Sequence, residues 1–392
     1  ALLALWGRPA RGNEGPAGLK PEETDGPVKI SILSKHLRLM KEGRAGRIVI
    51  TLPAAAVIES ADTAVSVPAG TIVMVHAGGF FRLSVDRLAL NPPARLRVLL
   101  PGKKAYCDVT IDNEKRAYPL PVEIHYRGEA IDIIAAESLS RYCLDAARAE
   151  MGPVSTRAEE AVQALALLIQ ARYRFTRRAP THREADFCDL THCQVYRGRL
   201  GADGPSPAEP WVIDTKGLEA PPLFHARCGG HTLGNGVFSI GRGRRGEVKD
   251  WISSEGLMLC RPGEHRWEAV LSPDELAAIL TGRPSPGGMP VSLEYDKNAL
   301  VITLRLGRDI RQCAPEDFRL KINRVRGWGF LKSNLYTVRR EGEGPFIFSG
   351  AGLGHGAGLC QHGALELARR GYSRYEIPVS YTHLTLPTKR IV

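Results

Sequence analysis

The chain has 392 residues, long enough for two or three structural units with cores of their own. With 43% hydrophobic and 24% charged residues it has an ordinary globular composition, and no apolar run approaches the length of a membrane-spanning helix. Eight cysteines are too few for a disulfide-dense scaffold. The formal net charge of +11 favours an anionic partner, and nucleic acid, anionic lipid and bacterial wall polymers all meet that condition.

The chain begins with a polar segment and continues into short strands. Residues 1–28 are rich in proline and glycine after an apolar start, so we expect a flexible leader. The letters ALLALW are typical of the end of a signal peptide or membrane anchor missing from this chain, and a cloning boundary explains them equally well. From residue 29 to 135, alternating runs such as VKISIL and CDVTI predict a β-rich unit.

Three helices follow, two of them with local start signals. Thr156, with Glu159 three residues later, forms a capping box before an apolar stripe at helical spacing. Ser272 begins a second helix, with proline and glutamate in its first turn, that ends before Gly282. A third helix follows the glycine-rich loop GAGLGHGAGLCQHGA and ends at Arg370. The order of elements predicts an α+β fold in which β-rich units frame a helical segment and a groove.

Two imidazoles and two thiols lie within twelve residues of each other, at His182, Cys188, His192 and Cys193. Zinc favours tetrahedral sites of nitrogen and sulfur donors, although this spacing is not that of a common zinc finger. His192 and Cys193 are adjacent, so both bind one ion only if the backbone turns there. A disulfide and a merely polar loop are the alternatives.

Two patterns that suggest nucleotide or nucleic-acid binding fail on their context. The glycines from 350 to 358 follow a strand and precede a helix, but too little chain remains for a dinucleotide-binding unit. His355 and Gln361 are the polar side chains that can meet a ligand there, and a tight turn with His355 bonded to backbone is the alternative. The basic run at 241–249 lacks interleaved aromatic residues, so we expect a solvated loop and no nucleic-acid partner.

Four ordered stretches resemble the SpoIID/LytB family of bacterial cell-wall proteins, that is, stage II sporulation protein D and its relatives. They are LSRYCLDAARAEMG, FCDLTHCQVYRG, FHARCGGHT and GAGLGHGAGLCQHGALELARRGYSRYEI, and their order and spacing hold over roughly residues 29–377. We therefore place a catalytic unit at 136–377. The last residues, 378–392, look like a translated library adaptor, and we expect them not to belong to the natural protein.

The resemblance implies a lytic transglycosylase that cleaves the MurNAc–GlcNAc bond of peptidoglycan glycan strands. It makes Glu150 the counterpart of the catalytic acid. One carboxyl suffices because the C6 hydroxyl of the same sugar attacks and gives a 1,6-anhydro end. Partial burial against the helix that follows is expected to favour the protonated carboxyl.

The resemblance also implies a structural zinc on the four histidine and cysteine residues from 182 to 193. It adds Tyr142 and Trp251 to the residues at 355 and 361 as contacts of the glycan. Leu353 stands where relatives often have tryptophan, Trp251 stands where they often have tyrosine, and Gln170 stands near a usual arginine. The departures at Leu353 and Trp251 leave a second interpretation open, a non-catalytic wall-binding protein that enhances an amidase. Either function implies a place in the cell envelope outside the cytoplasm, with glycan strands and other cell-wall hydrolases as partners.

Overall fold

The computed structural model describes residues 19–21, 26–43, 47–59, 64–77, 81–85, 88–90, 95–99, 106–111, 114–127, 130–177, 182–190, 193–200, 211–213, 220–240, 251–252, 257–282 and 291–381. The chain divides into two compact units. The N-terminal unit comprises Lys20–Val154 and Ile169–Ile213; the C-terminal unit comprises Ser155–Leu168 and Asp214–Val392, together with Ala1–Leu19. Helices and strands occur in several small sheets, which confirms the predicted α+β class.

The first half of the chain is dominated by strands, as the alternating runs predict. Six strands form one sheet in the order β11-β10-β3-β6-β7-β8, and seven form another in the order β14-β2-β13-β12-β9-β4-β5. All described pairings in the two sheets are antiparallel except that of β14 with β2. The two remaining strands of this part of the chain, β1 and β15, pair with each other. The strands are β1 (Leu19–Pro21), β2 (Val28–Ile32), β3 (Arg47–Thr51), β4 (Ala56–Glu59), β5 (Ala64–Val67), β6 (Ile72–Ala77), β7 (Phe81–Val85), β8 (Leu88–Leu90), β9 (Arg95–Leu99), β10 (Tyr106–Ile111), β11 (Glu114–Pro119), β12 (Val122–Arg127), β13 (Ala130–Glu137), β14 (Phe187–Cys188) and β15 (Trp211–Ile213).

Three helices accompany these strands: α1 (Ser34–Lys41), α2 (Leu139–Met151) and α3 (Glu159–Thr176). Helix α1 lies inside the stretch predicted to be all β. Its N-terminus is capped from a distance, because the Asp189 carboxylate accepts hydrogen bonds from the backbone N–H groups of Leu33 and Ser34 at 2.6 and 3.1 Å. No local sequence signal announces such a cap.

The predicted capping box at Thr156 is wrong. Thr156–Ala158 forms a 3-10 turn without a side-chain cap, and α3 begins at Glu159. The boundary expected after residue 135 also differs from the observed division. Helix α2 and the histidine–cysteine segment belong to the N-terminal unit, because residues 193–200 hydrogen-bond to α2 and β14 pairs with β2.

The C-terminal unit contains two three-stranded antiparallel sheets, β19-β24-β23 and β20-β21-β22, and two short pairs, β16-β25 and β17-β18. The strands are β16 (Phe224–His225), β17 (Trp251–Ile252), β18 (Leu257–Met258), β19 (Arg266–Leu271), β20 (Val291–Asp296), β21 (Val301–Leu306), β22 (Asp309–Cys313), β23 (Tyr336–Arg340), β24 (Phe346–Ala351) and β25 (Leu359–Cys360). The helices are α4 (Pro273–Thr281), α5 (Pro315–Arg326), α6 (Gln361–Arg369) and α7 (Glu376–Tyr381).

Helix α4 is the helix predicted from Ser272. The Ser272 hydroxyl accepts a hydrogen bond from the Glu275 backbone N–H at 3.2 Å, and Gly282 ends the helix in the left-handed conformation. Helix α5 was not predicted; it buries Phe318 and Ile322 in a core that the two three-stranded sheets share with α4.

Several expectations fall on residues outside the described ranges, namely most of the leader at 1–28, the basic run at 241–249 and the tail from 382 onward. The first residues of the expected tail, 378–381, belong to α7, where Pro378 and Tyr381 are buried. Among the helices of the described ranges, none is both long and apolar enough to span a bilayer.

Candidate functional site

Glu150 lies in the last turn of α2, and its side chain is half-buried. The helix ends at Met151 and is followed by Gly152, whose φ of 68° and ψ of −167° fall in a region that only glycine adopts readily. The backbone N–H of Val195 donates a hydrogen bond to Oε1 of Glu150 at 2.6 Å. One carboxylate oxygen therefore has a fixed backbone partner, which sets the direction of the side chain.

Residues 193–200 run beside α2 and are tied to it by polar contacts. Oδ1 of Asp145 accepts a hydrogen bond from the backbone N–H of Leu200 at 3.1 Å. Asp145 also pairs with Arg141, one helical turn earlier, at 2.8 Å. Burial raises the pKa of Asp145, although Arg141 opposes the shift. This network holds the segment next to the candidate acid.

Tyr142, predicted to contact the glycan, is fully buried. Its ring stacks on Phe187 with a centroid distance of 5.6 Å and an interplanar angle of 17°. The centroid of Tyr196 lies 5.1 Å away, and the Tyr142 hydroxyl accepts a hydrogen bond from the Gln194 amide. The ring is thus part of the core of the N-terminal unit and offers no face to a ligand.

His182, Cys188 and Cys193 come together and are called the first cluster from here on. Their ligand atoms all lie within 4.8 Å of one another, and Nε2 of His182 is 3.1 Å from Sγ of Cys193. A hydrogen bond with Cys193, together with burial, raises the pKa of the Cys188 thiol. One imidazole and two thiols suit a metal that prefers nitrogen and sulfur donors. His192 lies outside the described residues.

Arg172 on α3 is a residue of this region that the sequence did not single out. Partial burial lowers the pKa of its guanidinium, and the nearby charges of Cys193 and Glu150 oppose that shift. Arg172, two residues after Gln170, therefore places a positive charge near the candidate acid. Arg172 follows Leu168 by about one helical turn, so it is a charged residue on the otherwise apolar face of α3. That feature of the sequence could have identified it.

The glycine-rich loop lies against residues 223–228 of its own unit. Strand β25 pairs in parallel with β16, and the glycines at 352, 354, 356 and 358 all have φ between 73° and 102°. A Cβ atom on Gly358 would lie 2.0 Å from the carbonyl oxygen of Leu223. The glycines are needed here because two backbone segments of the protein approach each other closely.

His355 has a backbone partner within its own turn, as the alternative interpretation expected. Its Nδ1 accepts a hydrogen bond from the Ala357 backbone N–H at 3.1 Å, and its carbonyl oxygen accepts one from the Asn334 amide at 3.2 Å. The ring lies 5.1 Å from that of Phe238. A contact between His355 and a glycan stays a prediction.

The remaining positions are Gln361 and Trp251, predicted to contact the glycan, and Leu353, which stands where relatives often have tryptophan. Gln361 is the first residue of α6 and is buried. Leu353 is 45% exposed, and its backbone bridges to Arg227. The backbone of Trp251 pairs with Met258 across β17 and β18. None of these placements tests sugar binding.

A second histidine–cysteine cluster was not predicted. His225, Cys228 and Cys360 have ligand atoms within 4.8 Å of one another. Burial lowers the pKa of His225 to about 4. The cysteines are remote in sequence, and the signal available was that each lies in a glycine-rich stretch, CGG or GLCQHG.

Within the described ranges, fold and site define an α+β protein of two units, each with one cluster that can hold a metal ion, and with a candidate acid near the first. Comparison with known protein families and with curated proteins finds no match for this chain.

Proposed function

We propose that this protein is a lytic transglycosylase that cleaves the MurNAc–GlcNAc bond of peptidoglycan glycan strands and leaves 1,6-anhydro ends. The resemblance of four ordered segments to the SpoIID/LytB family suggests the activity. One observation supports it most: Glu150 is held at the end of α2 by the backbone N–H of Val195. Val195 follows Cys193 of the first cluster by two residues, so the segment that orients the acid begins at that cluster.

In this mechanism Glu150 acts twice. Its protonated carboxyl donates a proton to the glycosidic oxygen while the bond from that oxygen to C1 of MurNAc breaks. The carboxylate then takes the proton of the C6 hydroxyl while O6 forms a bond to C1. Proton and bonds balance without water, so a second carboxyl is not needed. A side chain that acts in both steps benefits from a fixed direction, which the Val195 bond provides.

We assign zinc to the first cluster, with His182, Cys188 and Cys193 as three ligands and His192 as the fourth. A zinc held by four protein ligands has no open position for water, so it supplies rigidity rather than a nucleophile. Cys193 would then be fixed at the start of the segment that carries the Val195 donor. The net charge of +11 would retain the protein on the anionic polymers of the cell envelope.

The test is digestion of purified glycan strands by the full chain, with mass spectrometry of the products. We expect anhydro-ended fragments from the wild type and a loss of roughly 10²–10⁴-fold in their rate of formation for Glu150→Gln. Glu160→Gln is a matched control, because Glu160 is also half-buried and accepts a backbone hydrogen bond, from Arg374 at 2.7 Å. It should cleave like the wild type. Equal cleavage by Glu150→Gln and wild type, or none by either, would contradict the proposal.

A second candidate is a non-catalytic wall-binding protein that enhances an amidase. Two placements favour it. Tyr142, expected to contact the glycan, is fully buried, and the position where relatives often have tryptophan holds the exposed aliphatic side chain of Leu353. This function predicts faster release of stem peptides when the chain is added to an amidase, with no anhydro ends. Binding to cell walls should weaken with added salt under either function.

A further inference from the structure

Three cysteines from separate segments meet in the interior of the C-terminal unit. Cys228 follows β16, Cys260 follows β18 and Cys360 ends β25. The sulfurs of Cys228 and Cys360 lie within 4.8 Å of each other, and the Cys260 thiol neighbours both. The side chains of Cys228, Cys260 and Cys360 are 3%, 0% and 0% exposed. We propose that these cysteines and His225 form a second, structural zinc site. This inference does not depend on the proposed activity.

Backbone N–H groups are aimed at all three sulfurs. An N–H donor stabilises a thiolate more than a thiol, because a hydrogen bond to a charged acceptor is the stronger one. Such donors around the sulfurs form the outer layer of contacts that tunes a metal site. The donors are Gly230 toward Cys228 at 3.4 Å, Cys228 and Gly363 toward Cys360 at 3.3 and 3.4 Å, and Gly229 toward Cys260.

His225 supplies the fourth donor. Its Nδ1 lies 2.9 Å from the carbonyl oxygen of Ala357, and a carbonyl only accepts, so Nδ1 carries the hydrogen. In the neutral ring Nε2 then has the lone pair, and this atom is buried without a hydrogen-bond partner. The ring is 4% exposed. A metal ligand is typically arranged in this way, with the second ring nitrogen fixed by a backbone carbonyl.

The geometry favours a single zinc ion over the alternatives. Tetrahedral zinc with Zn–S bonds of about 2.3 Å separates its sulfurs by roughly 3.8 Å, which is compatible with the spacing of Cys228 and Cys360. The ligand atoms of His225, Cys228 and Cys360 lie within 4.8 Å of one another. Sulfurs that bind different irons of a cluster would stand farther apart. A disulfide between two of the three cysteines would not explain why the third sulfur lies beside them with a backbone N–H donor of its own.

His362 is assigned to the outer layer of this site. It lies in the first turn of α6, is half-buried and hydrogen-bonds to the Cys260 sulfur. With three cysteines and His225 as ligands the coordination sphere is closed. The site would fasten the glycine-rich loop, through Cys360, to the segment Cys228–Gly230 that the loop's glycines approach.

The test is a zinc count per folded chain in full-length protein purified under reducing conditions and exchanged against Zn²⁺. We expect two zinc ions in the wild type and one in each of Cys188→Ser and Cys260→Ser. Cys313→Ser, which changes a half-buried thiol of the same unit, should retain both. X-ray absorption of the zinc left in Cys188→Ser should show three sulfurs and one nitrogen.

The proposal is overturned if Cys188→Ser holds no zinc, or if folded Cys260→Ser holds as much as the wild type. A disulfide between Cys228 and Cys360 in the zinc-exchanged protein would overturn it as well. If Cys260→Ser does not fold, the absorption spectrum of Cys188→Ser decides, since that variant leaves all four ligands intact. Glycan cleavage does not enter these readouts, so failure of the proposed activity and failure of this site are distinguishable.

Discussion

The two histidine–cysteine clusters differ in how much chain they join. The outer members of the first cluster, His182 and Cys193, are 11 residues apart, whereas Cys228 and Cys360 of the second are 132 residues apart. A link between distant residues removes more conformational freedom from the unfolded chain than a link between near ones. A metal in the first cluster therefore orders a loop, and a metal in the second closes most of a unit.

The two clusters also differ in what else holds them. The loop of the first cluster is anchored by carboxylates, with Asp189 bound to the start of α1 and Asp186 bound to the backbone N–H of Lys29. The second cluster depends on glycines that let two backbone segments approach. We infer that the first loop retains much of its position without a metal and that the second cluster does not.

The largest expected effect is on stability when each cluster loses one cysteine. If each metal acts as a cross-link, closing a loop of 132 residues raises the free energy of unfolding by about 5 kcal/mol, and closing a loop of 11 residues raises it by about 3 kcal/mol. We therefore expect Cys260→Ser to destabilise the C-terminal unit by about 2 kcal/mol more than Cys188→Ser destabilises the N-terminal unit. Hydrogen exchange with mass spectrometry measures the two units separately.

The control for this comparison is the same pair of variants after zinc is removed with a chelator. The difference should then shrink, because neither chain keeps a cross-link to lose. Equal losses of stability in the presence of zinc would mean that the second cluster does not close the unit.

A smaller effect is expected for Gly358→Ala. At φ of 73°, the new Cβ would lie 2.0 Å from the Leu223 carbonyl oxygen, so β16 and β25 have to separate. We expect a loss of roughly 2–3 kcal/mol from strain and displaced packing, and a lower zinc affinity at the second cluster only. Zinc content and urea unfolding measure the two effects.

Gly282→Ala is the matched control for that variant. Gly282 has a similar φ of 72°, but nothing lies within 4 Å of an added Cβ. Only the left-handed backbone is penalised there, by about 1 kcal/mol, and both metals should remain. If the two alanine variants behave alike, close approach at Gly358 is not what brings Cys360 to its partners.

The parts of the fold that sequence could predict are those with local causes. Helix α4 was predicted because Ser272 and Gly282 satisfy its two ends within the helix itself. Helix α1 was missed because its cap, Asp189, lies 155 residues from Ser34. Helix α5 did carry local signals, with Pro315 at its start and acidic residues in its first turn, but only a narrow apolar stripe. Its mostly polar sequence does not predict a helix that faces a core.

The candidate site shows the same limit. The first cluster is visible in sequence because its members are neighbours, and the second is hidden because Cys228, Cys260 and Cys360 meet only through the fold. The partner of Glu150 is a backbone N–H, that of Val195, and no residue type announces a backbone donor. Tyr142 was predicted at the glycan, whereas its ring packs on Phe187, since a motif cannot tell a core aromatic from a surface one.

The smallest expected effect concerns the anchors of the first cluster. Asp189→Ala removes the two hydrogen bonds that Leu33 and Ser34 donate, which should destabilise the N-terminal unit by about 1 kcal/mol. Burial raises the pKa of Asp189, so the charged carboxylate is disfavoured there. The loss of stability should therefore lie at the low end of the range for removal of a helix cap. Exchange of the α1 amides measures it.

The same variant should lower zinc affinity at the first cluster by roughly 10-fold, because Asp189 follows Cys188 and anchors its loop, and should leave the second cluster unchanged. Asp186→Ala is the control, because its carboxylate accepts one exposed hydrogen bond, from Lys29 at 2.8 Å; its effect on stability should stay within about 0.5 kcal/mol. Competition with a chelator measures both affinities. If Asp189→Ala leaves zinc affinity unchanged at both clusters, the metal ligands alone hold the first loop in place. The two clusters would then not differ in how they are anchored.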